Sequence, residues 1–179
     1  RLSVHHGITG DGISTPQNFF PLRCVYSRRL NGNVRSVAQN FFSENDKTLV
    51  VEAIREAERD ASGEIKVFVE DRYGADLNAR LRQVFDELRM RETSKRNGVL
   101  IYLAVVDRKF VIWGDEGINA VVGGAYWNEI RDRMREYFRA QRFAEGVVEA
   151  VRSVGEALKR HFPRTEGEAN ELSDEIIIR

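Results

Sequence analysis

The chain has almost no cysteine and very little histidine, and both shortages exclude whole classes of site. Cys24 is the only cysteine among 179 residues, so an internal disulfide and a zinc site built on several cysteines are both excluded. The three histidines are His5, His6 and His161. None of them stands at metalloprotease spacing from an acidic residue and a second histidine.

The sequence also lacks net charge and long apolar runs. Its 28 basic residues balance its 28 acidic ones, without the basic excess typical of nucleic-acid-binding domains. No stretch reaches the roughly 18 apolar residues of a membrane-spanning helix. We therefore expect no nucleic-acid partner and no membrane span in this chain, and a monomer in the cytoplasm. A protein partner is a further expectation.

The most informative segment runs from Asn97 to Asn119. Val99 to Val106 form an unbroken apolar run, which has the length of a strand buried on both faces. A tight turn at Asp107-Arg108 then leads into a second strand, which ends in the acidic loop Gly114-Asp115-Glu116-Gly117. This pattern predicts an antiparallel pair of strands joined by a tight turn.

Apolar periodicity predicts the remaining elements. Helical spacing marks segments near residues 43–61, 77–88, 126–138 and 147–158, while Ile65, Val67 and Val69 alternate as in a strand. Ser43 and Asp46 have the spacing of a capping box. The predicted fold is α/β: a small mixed β-sheet with a βαββ core, flanked by helices on both faces as a three-layer α/β/α sandwich.

Composition divides the chain into three parts. Residues 1–36 carry five arginines against one aspartate and lack a helical period, which predicts a poorly ordered arm. Residues 37–163 form the predicted domain. Residues 164–179 are predicted to be an acidic tail that ends in the patch Ile176-Ile177-Ile178.

Strand direction sorts the acidic residues onto two opposite edges of the sheet. One edge receives Glu70, Asp71 and Asp107, where open parallel sheets usually bind ligands. Ordinary turn and strand-exit chemistry is the stronger explanation of these residues.

The opposite edge receives Glu64, Asn97, Asp115 and Glu116, with the amide of Asn119 nearby. Carboxylate and amide oxygens are the ligands that calcium prefers. The alternative is that Asp115 and Glu116 only cap a helix that begins near Gly117. We predict the metal site at this second edge and keep the first edge as the alternative.

Several short motifs, in this order, resemble the TPM domain family. They are Ser62-Gly63-Glu64, Asn97-Gly98-Val99-Leu100, Asp107-Arg108 and Gly114-Asp115-Glu116-Gly117-Ile118, followed by the segment 138–146, Phe-Arg-Ala-Gln-Arg-Phe-Ala-Glu-Gly. The resemblance covers about residues 40–163. Two features depart from the commoner family pattern: Asn119 stands where a glutamate is usual, and the membrane anchor of many members is missing from this sequence.

The resemblance implies a limited set of functions. Members are described as binding calcium or other divalent ions, and a plant member as a weak acid phosphatase. It therefore implies a domain that binds a divalent cation, most readily calcium, in a surface cleft with a binding or regulatory role. The alternatives are a weak metal-dependent acid phosphatase and a structural interaction domain without a ligand site. The residues favour the first, because no nucleophile or general base stands at a known catalytic spacing.

Overall fold

The computed structural model describes residues 36–165 and 175–179, which form four helices and four strands. The elements in chain order are α1 (Glu44–Arg59), β1 (Ile65–Glu70), α2 (Leu77–Glu87), β2 (Val99–Ala104), β3 (Lys109–Gly114), α3 (Glu116–Arg139), α4 (Phe143–His161) and β4 (Ile176–Ile178). Two short 3₁₀ helices span Ala38–Asn40 and Met90–Glu92. The arm predicted over residues 1–36 lies outside the described residues except for Ser36.

The four strands make one mixed sheet in the order β3-β2-β1-β4. β1 and β2 are parallel, with Ile65 opposite Val99, because α2 lies between them in the chain and carries it back across the sheet. β2 and β3 form the predicted antiparallel hairpin, with Val99 opposite Gly114. The predicted mixed sheet is confirmed.

Helices cover both faces of this sheet, as the three-layer prediction requires. Alternate residues of β1 point to opposite sides because side chains alternate along a strand. Val67 and Val69 join the larger core with α1, α3 and α4, whereas Phe68 joins a smaller core under α2. All six residues of β1 and of β2 are buried, which explains why β2 reads as an unbroken apolar run.

The start of α1 follows from its sequence. Ser43 accepts a hydrogen bond from the Asp46 amide and Asp46 accepts one from the Ser43 amide, so the predicted capping box is present. Val50, Ala53 and Ile54 face the core. Leu49, which shares the apolar pattern, is 51% exposed instead.

The last strand lies within the segment that was predicted to be an acidic tail. Ile176–Ile178 pair in parallel with Val67–Val69 of β1, so these residues form the fourth strand of the sheet. A three-residue strand has too little length for periodicity to reveal it, and its pairing partner is more than a hundred residues away.

The third helix begins ten residues earlier than Tyr126, the first residue of its predicted apolar pattern. It starts at Glu116 and is broken at Gly123, which has φ 72° and ψ 170°. Ile118 and Val122 continue the four-residue spacing of the predicted apolar pattern and pack into the same core, so the pattern identified only the second half of a longer series.

None of the described helices combines the length and the apolar character needed to cross a bilayer.

Candidate functional site

The strand register brings three of the four residues of the second edge to the same end of the sheet. The Val99 amide donates to the Glu64 carbonyl at 2.7 Å, and the Asp115 amide donates to the Gly98 carbonyl at 2.9 Å. Asn97 precedes β2, which lies between β1 and β3. The entries to β1 and β2 and the exit from β3 therefore meet here, as predicted from strand direction.

Asp115 has two structural partners at this edge. It is the N-cap of α3, where its carboxylate accepts from the Glu116 amide at 2.8 Å. The same carboxylate takes a two-pronged contact from Arg96, with Nε–Oδ2 at 2.6 Å and Nη2–Oδ1 at 3.0 Å. This hydrogen bonding raises the pKa of the Arg96 guanidinium. The capping role weighed as the alternative to metal binding is thus present.

Asn97 is fully buried, and its amide is only half satisfied. Its backbone amide donates to Thr93 Oγ1 at 3.2 Å and its Nδ2 lies 3.5 Å from Ser62 Oγ. Its Oδ1 has no hydrogen-bond partner in the part of the chain that the structure describes. Lys95 Nζ also reaches Ser62 Oγ, at 3.1 Å. A buried amide oxygen without a donor costs free energy unless another group approaches it.

The other two predicted ligands differ strongly in exposure. Glu64 is 1% exposed, whereas the Glu116 side chain is 78% exposed and lies 3.4 Å from Arg96 Nη2. The edge therefore has a buried floor and one exposed carboxylate at its rim. Within residues 36–165 and 175–179, no three His, Cys, Asp or Glu side chains form a group ready to hold a metal ion.

Asn119, the further amide considered at this edge, is occupied by protein groups. Its Nδ2 donates to the Gly114 carbonyl at 2.6 Å and its Oδ1 accepts from Trp127 Nε1 at 2.8 Å. It holds Trp127 against the end of β3.

At the first edge, Glu70 is held in a buried ion pair. Its carboxylate receives Arg80 Nε at 2.8 Å and Nη2 at 2.7 Å, and it accepts a hydrogen bond from the Tyr102 hydroxyl. Burial, and then this hydrogen bond, raise the pKa of Tyr102. Arg80 also lies over the Phe68 ring, 5.6 Å from its centre.

The other carboxylates of the first edge serve as local caps. Asp71 accepts from the Ala38 amide at 2.7 Å and the Ser36 hydroxyl at 2.9 Å. Asp107 accepts from the Tyr73 amide and from Arg72, both at 2.9 Å. Each of the three first-edge carboxylates thus serves a different set of protein donors.

The basic residues that hold these carboxylates, Arg96 and Arg80, were not among the site residues predicted from the sequence. Arg96 sits directly before Asn97-Gly98, and Arg80 lies one turn into α2. The pairing of each with its carboxylate depends on the tertiary fold, so only the short distance from Arg96 to the predicted ligand Asn97 gave a sequence signal.

Comparisons with known proteins agree on one family. The TPM domain description matches residues 36–157. The NMR structure of BA42 protein from the psychrophilic bacterium Bizionia argentinensis superposes with a TM-score of 0.72 at 39% identity, covering 76% of this chain and 94% of that one.

A second solved structure is more distant. The N-terminal domain of cg2496 protein from Corynebacterium glutamicum gives a TM-score of 0.47 at 16% identity, over 65% of this chain and 74% of that one. No curated protein matches the chain.

Proposed function

Because the chain belongs to the TPM domain family, we propose that it is a binding domain that takes a divalent cation, calcium first, at the edge formed by Glu64, Asn97, Asp115 and Glu116. The observation that carries the proposal is the buried Oδ1 of Asn97, which has no hydrogen-bond donor among residues 36–165 and 175–179. A cation is one of the few groups that could satisfy such an oxygen.

The donor set of this edge suits calcium. Three carboxylates and one amide offer hard oxygen atoms, and backbone carbonyls with water complete the six to eight ligands that calcium takes. Glu64 and Asp115 are already buried, so little side-chain entropy remains to be lost when they bind. The exposed Glu116 gives the ion a route from solvent.

The first edge supports the same proposal less well. Glu70 is fixed by two Arg80 nitrogens and the Tyr102 hydroxyl. Removing it from that buried network would leave an uncompensated charge in the interior, which strongly destabilises the fold.

Calcium titration by calorimetry and by amide NMR tests the proposal. Saturating calcium should shift the amides near residues 62–64, 95–98 and 114–117. At a free concentration a hundred times the dissociation constant it should raise the free energy of unfolding by about 2.7 kcal/mol. Absence of both effects at millimolar calcium contradicts the proposal.

A matched pair of variants locates the ion. Asp115→Asn keeps the N-cap, because asparagine caps helices as well as aspartate does, but it removes one charged ligand. It should weaken calcium binding by at least about tenfold, the lower end of what losing even a supporting residue costs. Asp107→Asn makes the same change at the opposite edge and should leave affinity unchanged. If instead only Asp107→Asn weakened binding, the ion would lie at the edge of Glu70, Asp71 and Asp107.

A further inference from the structure

We infer that Arg96 is a built-in competitor for the cation: its guanidinium and the ion occupy the same carboxylates in turn. This inference rests on the proposed function. It adds that binding at this edge is regulated by an exchange of one positive group for another.

The first step is the geometry of the pair. Both oxygens of Asp115 face nitrogen atoms of Arg96, at 2.6 and 3.0 Å, and the exposed Glu116 lies 3.4 Å from the same guanidinium. One cationic side chain thus contacts two of the four predicted ligands. A divalent ion cannot join those carboxylates while the guanidinium stays, since like charges at this range repel.

The second step is that the backbone of the loop is fixed independently of the guanidinium. The Arg96 carbonyl accepts from the Gly117 amide at 2.8 Å, and its own amide donates to the Thr93 carbonyl at 3.0 Å. Gly117 permits this contact, because a Cβ there would lie 2.8 Å from the Arg96 carbonyl oxygen and closer still to that of Lys95. The loop can therefore stay against α3 while the side chain moves.

The third step is access to solvent. The Arg96 side chain is 36% exposed although its partner Asp115 is only 3% exposed. The guanidinium can turn outward and be hydrated, leaving the buried carboxylate to the ion. At the other edge the Arg80 side chain is 16% exposed and its partner Glu70 10%, and Arg80 also covers the Phe68 ring, so an equivalent exchange there is hindered.

The backbone of Arg96 has φ 52°, in the left-handed region. Any residue other than glycine is strained in this conformation. The conformation directs this residue's carbonyl to Gly117 and its guanidinium to Asp115 at the same time.

Calcium affinity of Arg96→Met measures the competition. Removing the guanidinium while keeping an unbranched side chain should tighten calcium binding by about tenfold or more, since Asp115 no longer has a cation to release. Arg96→Lys keeps the charge but loses the fork, and its affinity should fall between those of the wild type and Arg96→Met.

Arg91→Met is the matched control. It removes the same charge from the same connection between α2 and β2, where Arg91 pairs with Asp86 at 2.6 Å on the surface. An exposed pair of this kind is screened and contributes little, so calcium affinity should stay within about twofold of the wild type. If both variants gained calcium affinity equally, the cause would be the loss of one positive charge at any position, and the competition by Arg96 would be overturned.

A direct observation complements the variants and does not depend on their folding. In the wild type, the Arg96 Nε–H signal in NMR should exchange slowly with water before calcium is added and rapidly afterwards. Calcium binding to the wild type without this change, and with no tighter binding by Arg96→Met, overturns the inference and leaves the proposed function standing. No binding by either form removes both. Binding by Arg96→Met alone supports the competition at this edge but contradicts calcium binding by the wild-type chain.

Discussion

The buried carboxylate of Glu70 is stabilised by hydrogen-bond donors on both of its oxygens. Glu70 is 8% exposed and Tyr102 is fully buried, yet the carboxylate carries Arg80 on both oxygens and the tyrosine hydroxyl as well. The raised pKa of Tyr102 means that the folded state favours the neutral phenol. Stability from this group is therefore full below the pKa of an unfolded tyrosine, about 10, and declines as pH rises above it.

Tyr102→Phe should lower the free energy of unfolding by about 1.5–3 kcal/mol near neutral pH, the usual range for a hydrogen bond to a charged group. In alkali the difference from the wild type should shrink, because unfolding of the wild type is then favoured by ionisation of Tyr102. Urea unfolding at about pH 7 and about pH 11, on either side of the ordinary tyrosine pKa, measures both effects. Tyr73→Phe, at a half-buried tyrosine, serves as the control. If the difference in free energy of unfolding between Tyr102→Phe and the wild type grew with pH, the prediction would be contradicted.

Gly123 is the residue that allows the bend in α3. Its φ of 72° with ψ of 170° belongs to a region that is essentially restricted to glycine. Neither Gly123 nor the neighbouring Gly124 has any atom within 4 Å of an added Cβ. A methyl group therefore fits at both positions, and the two glycines differ only in backbone conformation.

Alanine at these two glycines should consequently have opposite effects. Gly123→Ala should destabilise the fold by about 1–3 kcal/mol through backbone strain. Gly124→Ala should stabilise it by up to about 1 kcal/mol, because alanine loses less entropy in a helix. Thermal or urea unfolding of the two variants decides the point. If both variants were destabilised, the backbone conformation of Gly123 would not be the cause.

At the scale of elements, close helix packing holds the larger core together. α1 and α4 cross where Gly155 faces Ala57, and a Cβ on Gly155 would lie 2.5 Å from the Ala57 Cβ and 3.0 Å from its Cα. Two small residues thus let the helix backbones approach. α4 is also strongly one-sided: Val147, Val151, Val154 and Leu158 are all fully buried.

Gly155→Ala should force these helices apart and cost about 1–3 kcal/mol, as overpacking of a core commonly does. The double variant Ala57→Gly with Gly155→Ala removes the opposing methyl group and should recover part of the loss, apart from the cost of a glycine in α1. Calorimetric unfolding of the single and double variants measures the coupling. Strict additivity would show that the two residues do not meet.

Elements with long periodic patterns were predictable from the sequence, and those fixed by distant partners were not. Leu100 and Ile101 belong to a buried run that could only be a central strand, and the order of strands then fixed which acidic residues share an edge. Ile177 has no such local pattern, since its strand exists only through pairing with β1. Arg96 was missed for the same reason: its left-handed backbone and its contact with Asp115 arise only when β2, β3 and α3 assemble.

For the whole molecule, β4 closes one side of the sheet and links the two described ends of the chain. The residue after β4, Arg179, donates its amide to the Val69 carbonyl at 3.0 Å and pairs with Glu87 at 2.7 Å. The Arg179 guanidinium lies 5.5 Å from the centre of the Phe68 ring. Ser36 donates its hydroxyl to the Arg179 carbonyl at 3.3 Å. This short strand is thus held by the side chain of the residue that follows it as well as by its hydrogen bonds to β1.

Two truncations test which end of the chain the fold needs. A chain ending at Thr165 loses the three half-buried isoleucines of β4, each contributing about 1 kcal/mol at half burial, so its free energy of unfolding should fall by about 3 kcal/mol. It also exposes the edge of β1, a strand whose residues are all buried, and should aggregate more readily because an uncovered apolar edge pairs with other chains.

A chain beginning at Ser36 keeps the hydrogen bonds to Asp71 and Arg179, and its stability should stay within about 1 kcal/mol of the full chain, less than one buried large side chain contributes. Urea unfolding and light scattering compare the two. A stable, monodisperse chain ending at Thr165 would mean that β4 is dispensable, and a loss of more than about 2 kcal/mol on removing residues 1–35 would mean that the arm belongs to the fold.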